Sequence, residues 1–154
     1  MGHEIERKFL VRDESWRKGA SGTPYRQGYL AIARECTVRV RISGDGAWLT
    51  VKGPARGLTR LEFEYGIPPA DAAAMLEELC PHPPIEKTRY RIPFGGLVWE
   101  VDEFHGANEG LVLAEVELER EDQPVELPPW VGREVTGDPR YLNAYLAEHP
   151  HTTW

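Results

Sequence analysis

Glu4, Glu6 and Lys8 occupy alternate positions of Gly-His-Glu-Ile-Glu-Arg-Lys-Phe-Leu-Val, residues 2–11. The segment ends in an apolar trio and reads as a strand, where alternate side chains share a face. Two carboxylates and an ammonium therefore stand side by side. The pattern recurs along the chain with changed signs. Arg39 and Arg41 share a face of Thr-Val-Arg-Val-Arg-Ile, and Lys52 closes Trp-Leu-Thr-Val-Lys. Glu62 and Glu64 alternate with Leu61, Phe63 and Tyr65. Lys87, Arg89 and Arg91 alternate with Thr88, Tyr90 and Ile92; Glu100 and Asp102 follow Trp99 and Val101; Glu115, Glu117 and Glu119 share one face.

For any single strand, the simplest reading is a solvated outer face of a half-exposed antiparallel sheet. The set argues otherwise. Its polar faces are nearly all ionised, where exposed strands use much Thr and Ser. The signs are also segregated by strand: acids in 60–65, 99–103 and 113–119, bases in 37–42 and 85–91. If the apolar faces pack against helices, the charges line a bore. Buried ions need partners, and a polyanion with divalent cations supplies both kinds. Arg and Lys grip phosphate oxygens, and carboxylates suit magnesium or manganese. Phosphoryl transfer needs positioning and charge stabilisation above all. Such a bore is suited to holding and hydrolysing a metal-bound triphosphate.

The elements that must position these residues are short. Strands are predicted at 3–11, 25–33, 36–43, 46–53, 60–67, 85–93, 96–104 and 111–120, with turns at Ser43-Gly44-Asp45-Gly46 and Phe94-Gly95-Gly96. Eight strands with short links predict a closed antiparallel barrel in an α+β, mainly β, single domain. Helical pieces are expected at 13–18, at 69–79 with Met75, Leu76 and Leu79 in helical spacing, and at about 139–148, capped by Asp138 with Pro139 first.

The 154 residues are 41% hydrophobic and 28% charged, with a net charge of −7, which argues against a nucleic-acid or anionic-membrane partner. No apolar run approaches the roughly 20 residues of a membrane span. Charges at positions 4, 6, 7 and 8 argue against a signal peptide. Cys36 and Cys80 lack metal-ligand spacing and read as reduced thiols of a cytoplasmic protein. The five histidines form no zinc pattern and read as surface residues. Trp16, Trp99 and Trp130 are expected in the shell or core; Trp48 shares a face with Lys52 and is placed at a mouth of the bore.

Glu4-x-Glu6-x-Lys8 resembles the ExExK signature of the CYTH superfamily, the triphosphate tunnel metalloenzymes. The Arg39-x-Arg41 strand, Lys52, Glu62-x-Glu64, Lys87-x-Arg89 and Glu115-x-Glu117 follow in the family's order, over roughly residues 3–120. The resemblance implies an eight-stranded barrel whose bore is the active site. It implies Glu4, Glu6, Glu115 and Glu117 as ligands of Mg2+ or Mn2+, with Glu62 and Glu64 as ligands or supporting acceptors. Lys8, Arg39, Arg41, Lys52, Lys87 and Arg89 would hold the triphosphate, while Glu100 and Asp102 would support a basic neighbour or the attacking water. Gln27-Gly28-Tyr29-Leu30 resembles short bacterial members, in which a tyrosine beside the signature lysine is a proposed base for water. A close Lys8 ammonium favours a phenolate; the competing reading of Tyr29 is a core aromatic with its hydroxyl satisfied.

Inorganic triphosphatase is the first expectation, because the barrel consumes nearly the whole chain and no segment advertises a pocket for a base. A class IV adenylate cyclase, a thiamine triphosphatase and a non-catalytic polyphosphate-binding barrel are the alternatives. The expected partner is a small polyanion, with a homodimer left open.

Overall fold

The computed structural model describes residues 2–44 and 46–154. Its strands are β1 (His3–Val11), β2 (Gly22–Ile32), β3 (Thr37–Ser43), β4 (Gly46–Lys52), β5 (Thr59–Gly66), β6 (Ile85–Phe94), β7 (Leu97–Phe104), β8 (Val112–Glu117) and β9 (Val131–Glu134). Helix α1 (Pro69–Glu78) follows β5, and α2 (Asn143–Glu148) lies near the C-terminus. The strands run in the order β5-β4-β3-β2-β6-β7-β8-β1, and β1 returns to β5 through His3↔Leu61 and Glu4↔Arg60. Every neighbouring pair is antiparallel. The expected eight-stranded barrel is therefore closed, which leaves none of these strands as a free edge.

The strand expected at 111–120 is shorter, Val112–Glu117, so Glu119 lies beyond it, and the piece expected at 13–18 is a 3-10 turn at Ser15–Arg17. Three further features differ from the sequence reading. A ninth strand, β9, pairs with the far half of β1 through Phe9↔Glu134 and Val11↔Val131. Its Val-Gly-Arg-Glu sequence has too little alternation to announce a strand. β2 starts at Gly22, three residues before the expected 25, and runs through Pro24. At that end β2 pairs with β6 alone, the edge-like setting in which proline is tolerated. The C-terminal helix expected at 139–148 is split. Pro139–Tyr141 is a 3-10 turn whose Asp138 cap accepts from the Arg140 amide at 3.1 Å; Leu142 is extended, and α2 begins after it. The break frees the Tyr141 carbonyl to accept from Lys8 Nζ at 3.0 Å, where a continuous helix would spend it on its own next turn.

The apolar faces point outward and are covered over most of the barrel, while Leu61, Phe63 and Tyr65 of β5 stay exposed. Phe9, Trp99, Val101 and Val116 pack beneath Trp16 and Trp130. Ala72 and Leu76 of α1 pack on Val40 and Ala47. The helix sits so close to β2 that a Cβ on Gly28 would lie 2.9 Å from both Leu76 Cδ2 and Cys80 Sγ. The turn at Gly95-Gly96 forms as expected, with both residues at positive φ, and Ser43 pairs with Gly46; Asp45 of that turn lies outside the described residues. Cys36 and Cys80 are free thiols.

At one end the inward faces turn apolar. Leu10, Tyr29, Phe104 and Leu113 lie two residues from Lys8, Gln27, Asp102 and Glu115, and form a cluster with Tyr141 and Leu146 of the C-terminal segment. The same alternation thus carries ions in the middle of the bore and hydrocarbon at this end.

Candidate active site

A cavity of about 750 Å³ runs into the barrel. Its wall includes Glu4, Glu6, Lys8, Tyr29, Arg39, Arg41, Lys52, Glu62, Glu64, Lys87, Arg89, Glu100, Glu115 and Glu117. All the residues singled out from sequence are therefore brought together there, except Asp102. Arg60 and Arg91 also line the cavity, as does half-buried Trp48.

Asp102 lies behind the wall, with no exposed surface. Arg89 donates to it twice, Nε to Oδ1 at 2.7 Å and Nη2 to Oδ2 at 2.8 Å, and Lys87 Nζ donates to Oδ2 at 2.7 Å. Burial opposes its charge, but Lys87 and Arg89 outweigh that and hold the carboxyl well below the usual range. It orients two basic neighbours, one of the roles expected for it; its position excludes direct contact with a water in the cavity. Burial, with the charges of Arg89 and Arg41, pulls Lys87 down to about 7 against the opposing pull of Asp102.

On the opposite wall, Lys52 Nζ donates to Glu4 Oε1 at 2.9 Å and pairs with Glu62 Oε2 at 3.3 Å. Thr50 donates to Glu64 at 2.9 Å and accepts from Arg39 Nη2 at 3.3 Å. Arg39 Nε is buried without a hydrogen-bond partner among the described residues. Lys8 Nζ, besides the Tyr141 carbonyl, faces Glu115 at 3.7 Å.

Glu6 and Glu115 are the most contrasted pair of acids. Burial and the adjacent Glu115 charge push the Glu6 carboxyl well above the usual range. Burial also opposes the charge on Glu115, yet Lys8 and Arg89 outweigh it and hold that carboxyl at about 2. Glu62 and Glu117 are raised by burial and by acidic neighbours, Glu4 foremost. Crowded, buried carboxylates are what a hard divalent cation relieves, and an all-oxygen donor set suits magnesium or manganese. Among the described residues no three acids already converge as a compact ligand set. Glu4 and Glu62 are instead turned onto Lys52.

Sequence reasoning missed the neutral members. Gln27, without exposed surface, accepts from Arg41 Nε at 2.8 Å and donates to Asn143 Oδ1 at 2.9 Å. Tyr25 lies under the guanidinium groups of Arg41 and Arg89, 4.9 and 5.0 Å from its ring centre. An ion pattern carries no signal for such residues, although Gln27 and Tyr25 alternate in phase with Tyr29 on β2.

Comparison with known proteins agrees with this geometry. The inorganic triphosphatase of Acetivibrio thermocellus is 52% identical over 151 residues, covering 98% of this chain and 97% of that protein. The inorganic triphosphatase of Nitrosomonas europaea is 40% identical over 153 residues, covering 94% of this chain and 96% of that protein. The crystal structure of the inorganic triphosphatase NE1496 superposes with a TM-score of 0.65 at 37% identity, covering 94% of this chain and 93% of the other. The CYTH domain model matches residues 2–143. The chain belongs to the CYTH family.

Proposed function

We propose that this protein is a divalent-metal-dependent inorganic triphosphatase that hydrolyses tripolyphosphate to pyrophosphate and phosphate. One observation carries the reading: buried acids and bases of opposite strands face a single cavity, where Arg39 Nε is buried without a hydrogen-bond partner among the described residues. The 52% identity to an inorganic triphosphatase over nearly the full length supports it.

Lys8, Arg39, Arg41, Lys52, Lys87 and Arg89 bind the phosphate oxygens, the guanidinium groups by two-point hydrogen bonds. Glu4, Glu6, Glu115 and Glu117, with Glu62 and Glu64, would hold Mg2+ or Mn2+, which when bound would supply neutralisation of phosphate charge and easier ionisation of water. As Lys52 turns to the substrate it releases Glu4 and Glu62 from their present ion pairs. Tyr29 takes a proton from the attacking water. The water oxygen bonds to a terminal phosphorus as the bridging P–O bond breaks and pyrophosphate leaves with the bond pair. Lys87 and Arg89, braced from behind by Asp102, steady the charge that develops on the departing oxygens. Free thiols and a small polyanionic substrate fit a cytoplasmic setting.

The test is phosphate release from tripolyphosphate, ATP and thiamine triphosphate with magnesium, manganese or chelator. The expected result is metal-dependent release, fastest from tripolyphosphate. No release from any of the three would overturn the hydrolase, and cyclic AMP from ATP would replace it with a cyclase.

A further inference from the structure

Arg41 differs from the other bore cations. Lys8 faces Glu115, Arg39 faces Glu64, Lys52 is paired with Glu4, and Lys87 and Arg89 are paired with Asp102. Among the described residues no carboxylate is paired with Arg41. Its polar contact is with an uncharged amide: Nε donates to Gln27 Oε1 at 2.8 Å, while the guanidinium lies over the Tyr25 ring. The like charges of Arg39 and Arg89 add to burial in pulling Arg41 down to about 10, so it stays charged at neutral pH but is poorly compensated.

Gln27 is in turn fixed from the other side. Its Nε2 donates to Asn143 Oδ1 at 2.9 Å, and the same oxygen accepts from Lys87 Nζ at 3.4 Å. Two amides, one on β2 and one at the first residue of α2, thus bridge Arg41 to Lys87. An amide oxygen orients a cation much as a carboxylate oxygen does, but it cancels none of the charge. A carboxylate at either position would pair with the cation and compete with an incoming phosphate.

We propose that Gln27 and Asn143 are positioning residues, a charge-neutral clamp that aims Arg41 at the substrate while leaving its positive charge free for a phosphate group. The clamp rests on the triphosphate reading of the bore. It also gives the C-terminal segment a part in substrate binding: Asn143 reaches across 116 residues of sequence to Gln27.

The experiment uses the full chain with Gln27→Glu and Asn143→Asp, both nearly isosteric. Tripolyphosphate binding is measured by calorimetry and turnover by phosphate release, with Tm recorded for each variant. The clamp predicts about a tenfold or greater rise in Kd and KM for Gln27→Glu, each tenfold being about 1.4 kcal/mol. It predicts a smaller rise for Asn143→Asp, with kcat changed less than KM in both. Folded variants with the affinity of the parent protein would overturn the clamp alone. A parent protein that binds no tripolyphosphate would overturn the reading of the bore and the clamp with it. If Gln27→Glu does not fold, Asn143→Asp, at a half-buried position, decides the matter by the same measurements.

Discussion

Asp102 grips Arg89 with both carboxylate oxygens, at 2.7 and 2.8 Å, and has no exposed surface of its own. The same carboxylate takes Lys87 at 2.7 Å. One buried anion therefore holds two cations at alternate positions of β6. Removing its charge would strand the Arg89 charge in the interior and drive Lys87, already pulled down to about 7, to give up its proton. Asp102→Asn is expected to cost about 3–5 kcal/mol, the usual penalty for stranding a buried charge, measured by urea unfolding at neutral pH. The pH dependence follows. Asp102 is held below its ordinary 3.8, so its contribution is fully present above that value and is lost as pH falls below it. The variant should lose part of the acid limb of the stability profile; a loss under about 1 kcal/mol would place the pair among weak surface bridges.

Glu6 and Glu115 predict a pH dependence for metal binding. Glu6 is raised above its ordinary 4.5 by burial and by Glu115, so the folded protein keeps that proton to higher pH than the unfolded chain does. From 4.5 up to the raised value, the folded state binds more protons, and its stability from this group falls as pH rises. Glu115, held at about 2, contributes in the opposite sense: its stabilisation is present above 4.5 and is lost as pH falls towards 2. A divalent cation competes with the Glu6 proton. The rise in Tm on adding Mg2+ should therefore be larger at about pH 7.5 than at about pH 5, and Glu6→Gln should flatten that difference. Equal shifts at both pH values in the parent protein would count against Glu6 as a ligand.

The alternation of ions made the barrel and most of its bore legible in the sequence, because a strand face is fixed by a period of two. Depth along that face was not legible. Asp102 shares the phase of Glu100, yet the heads of Lys87 and Arg89 cover it. Leu113 and Phe104 continue the charged faces of β8 and β7, yet they belong to a buried hydrocarbon cluster with the C-terminal segment. The C-terminal contribution was hidden for a different reason. Asn143 is an ordinary neutral residue, and its partner Gln27 stands on the second strand, so nothing local to either marks the contact. β9 was too short to declare itself, being four residues that draw their register from β1.

Arg39 tests whether the bore discriminates guanidinium from ammonium. Nη2 contacts Thr50 at 3.3 Å and Glu64 at 3.7 Å, while the buried Nε has no hydrogen-bond partner among the described residues. A planar guanidinium fork suits two-point binding of phosphate; an ammonium cannot reproduce it. Arg39→Lys should keep the fold and raise KM for tripolyphosphate by about tenfold or more, and Arg39→Ala should abolish measurable turnover. If Arg39→Lys retains the parent KM, the fork is serving Thr50 and Glu64 and not the substrate.

Tyr29 separates two roles that sequence could not. Its ring packs in the cluster of Ile85, Phe104, Leu113 and Leu146, which alone would account for an aromatic at this position. Its side chain also borders the cavity, as does that of Lys8. Tyr29→Phe keeps the ring and removes only the hydroxyl. If the hydroxyl is the base for water, kcat should fall by about 10²–10⁴-fold, the usual contribution of a positioned base. KM should change little, because the phosphate-binding cations are untouched, and Tm should stay close to that of the parent protein. Steady-state phosphate release across a range of pH, paired with thermal unfolding, makes the distinction. A variant with parental kcat would leave Tyr29 as the core aromatic and move the base elsewhere in the bore. A variant that loses Tm and kcat together would show the hydroxyl to be structural, since a base is needed for the reaction and not for the fold.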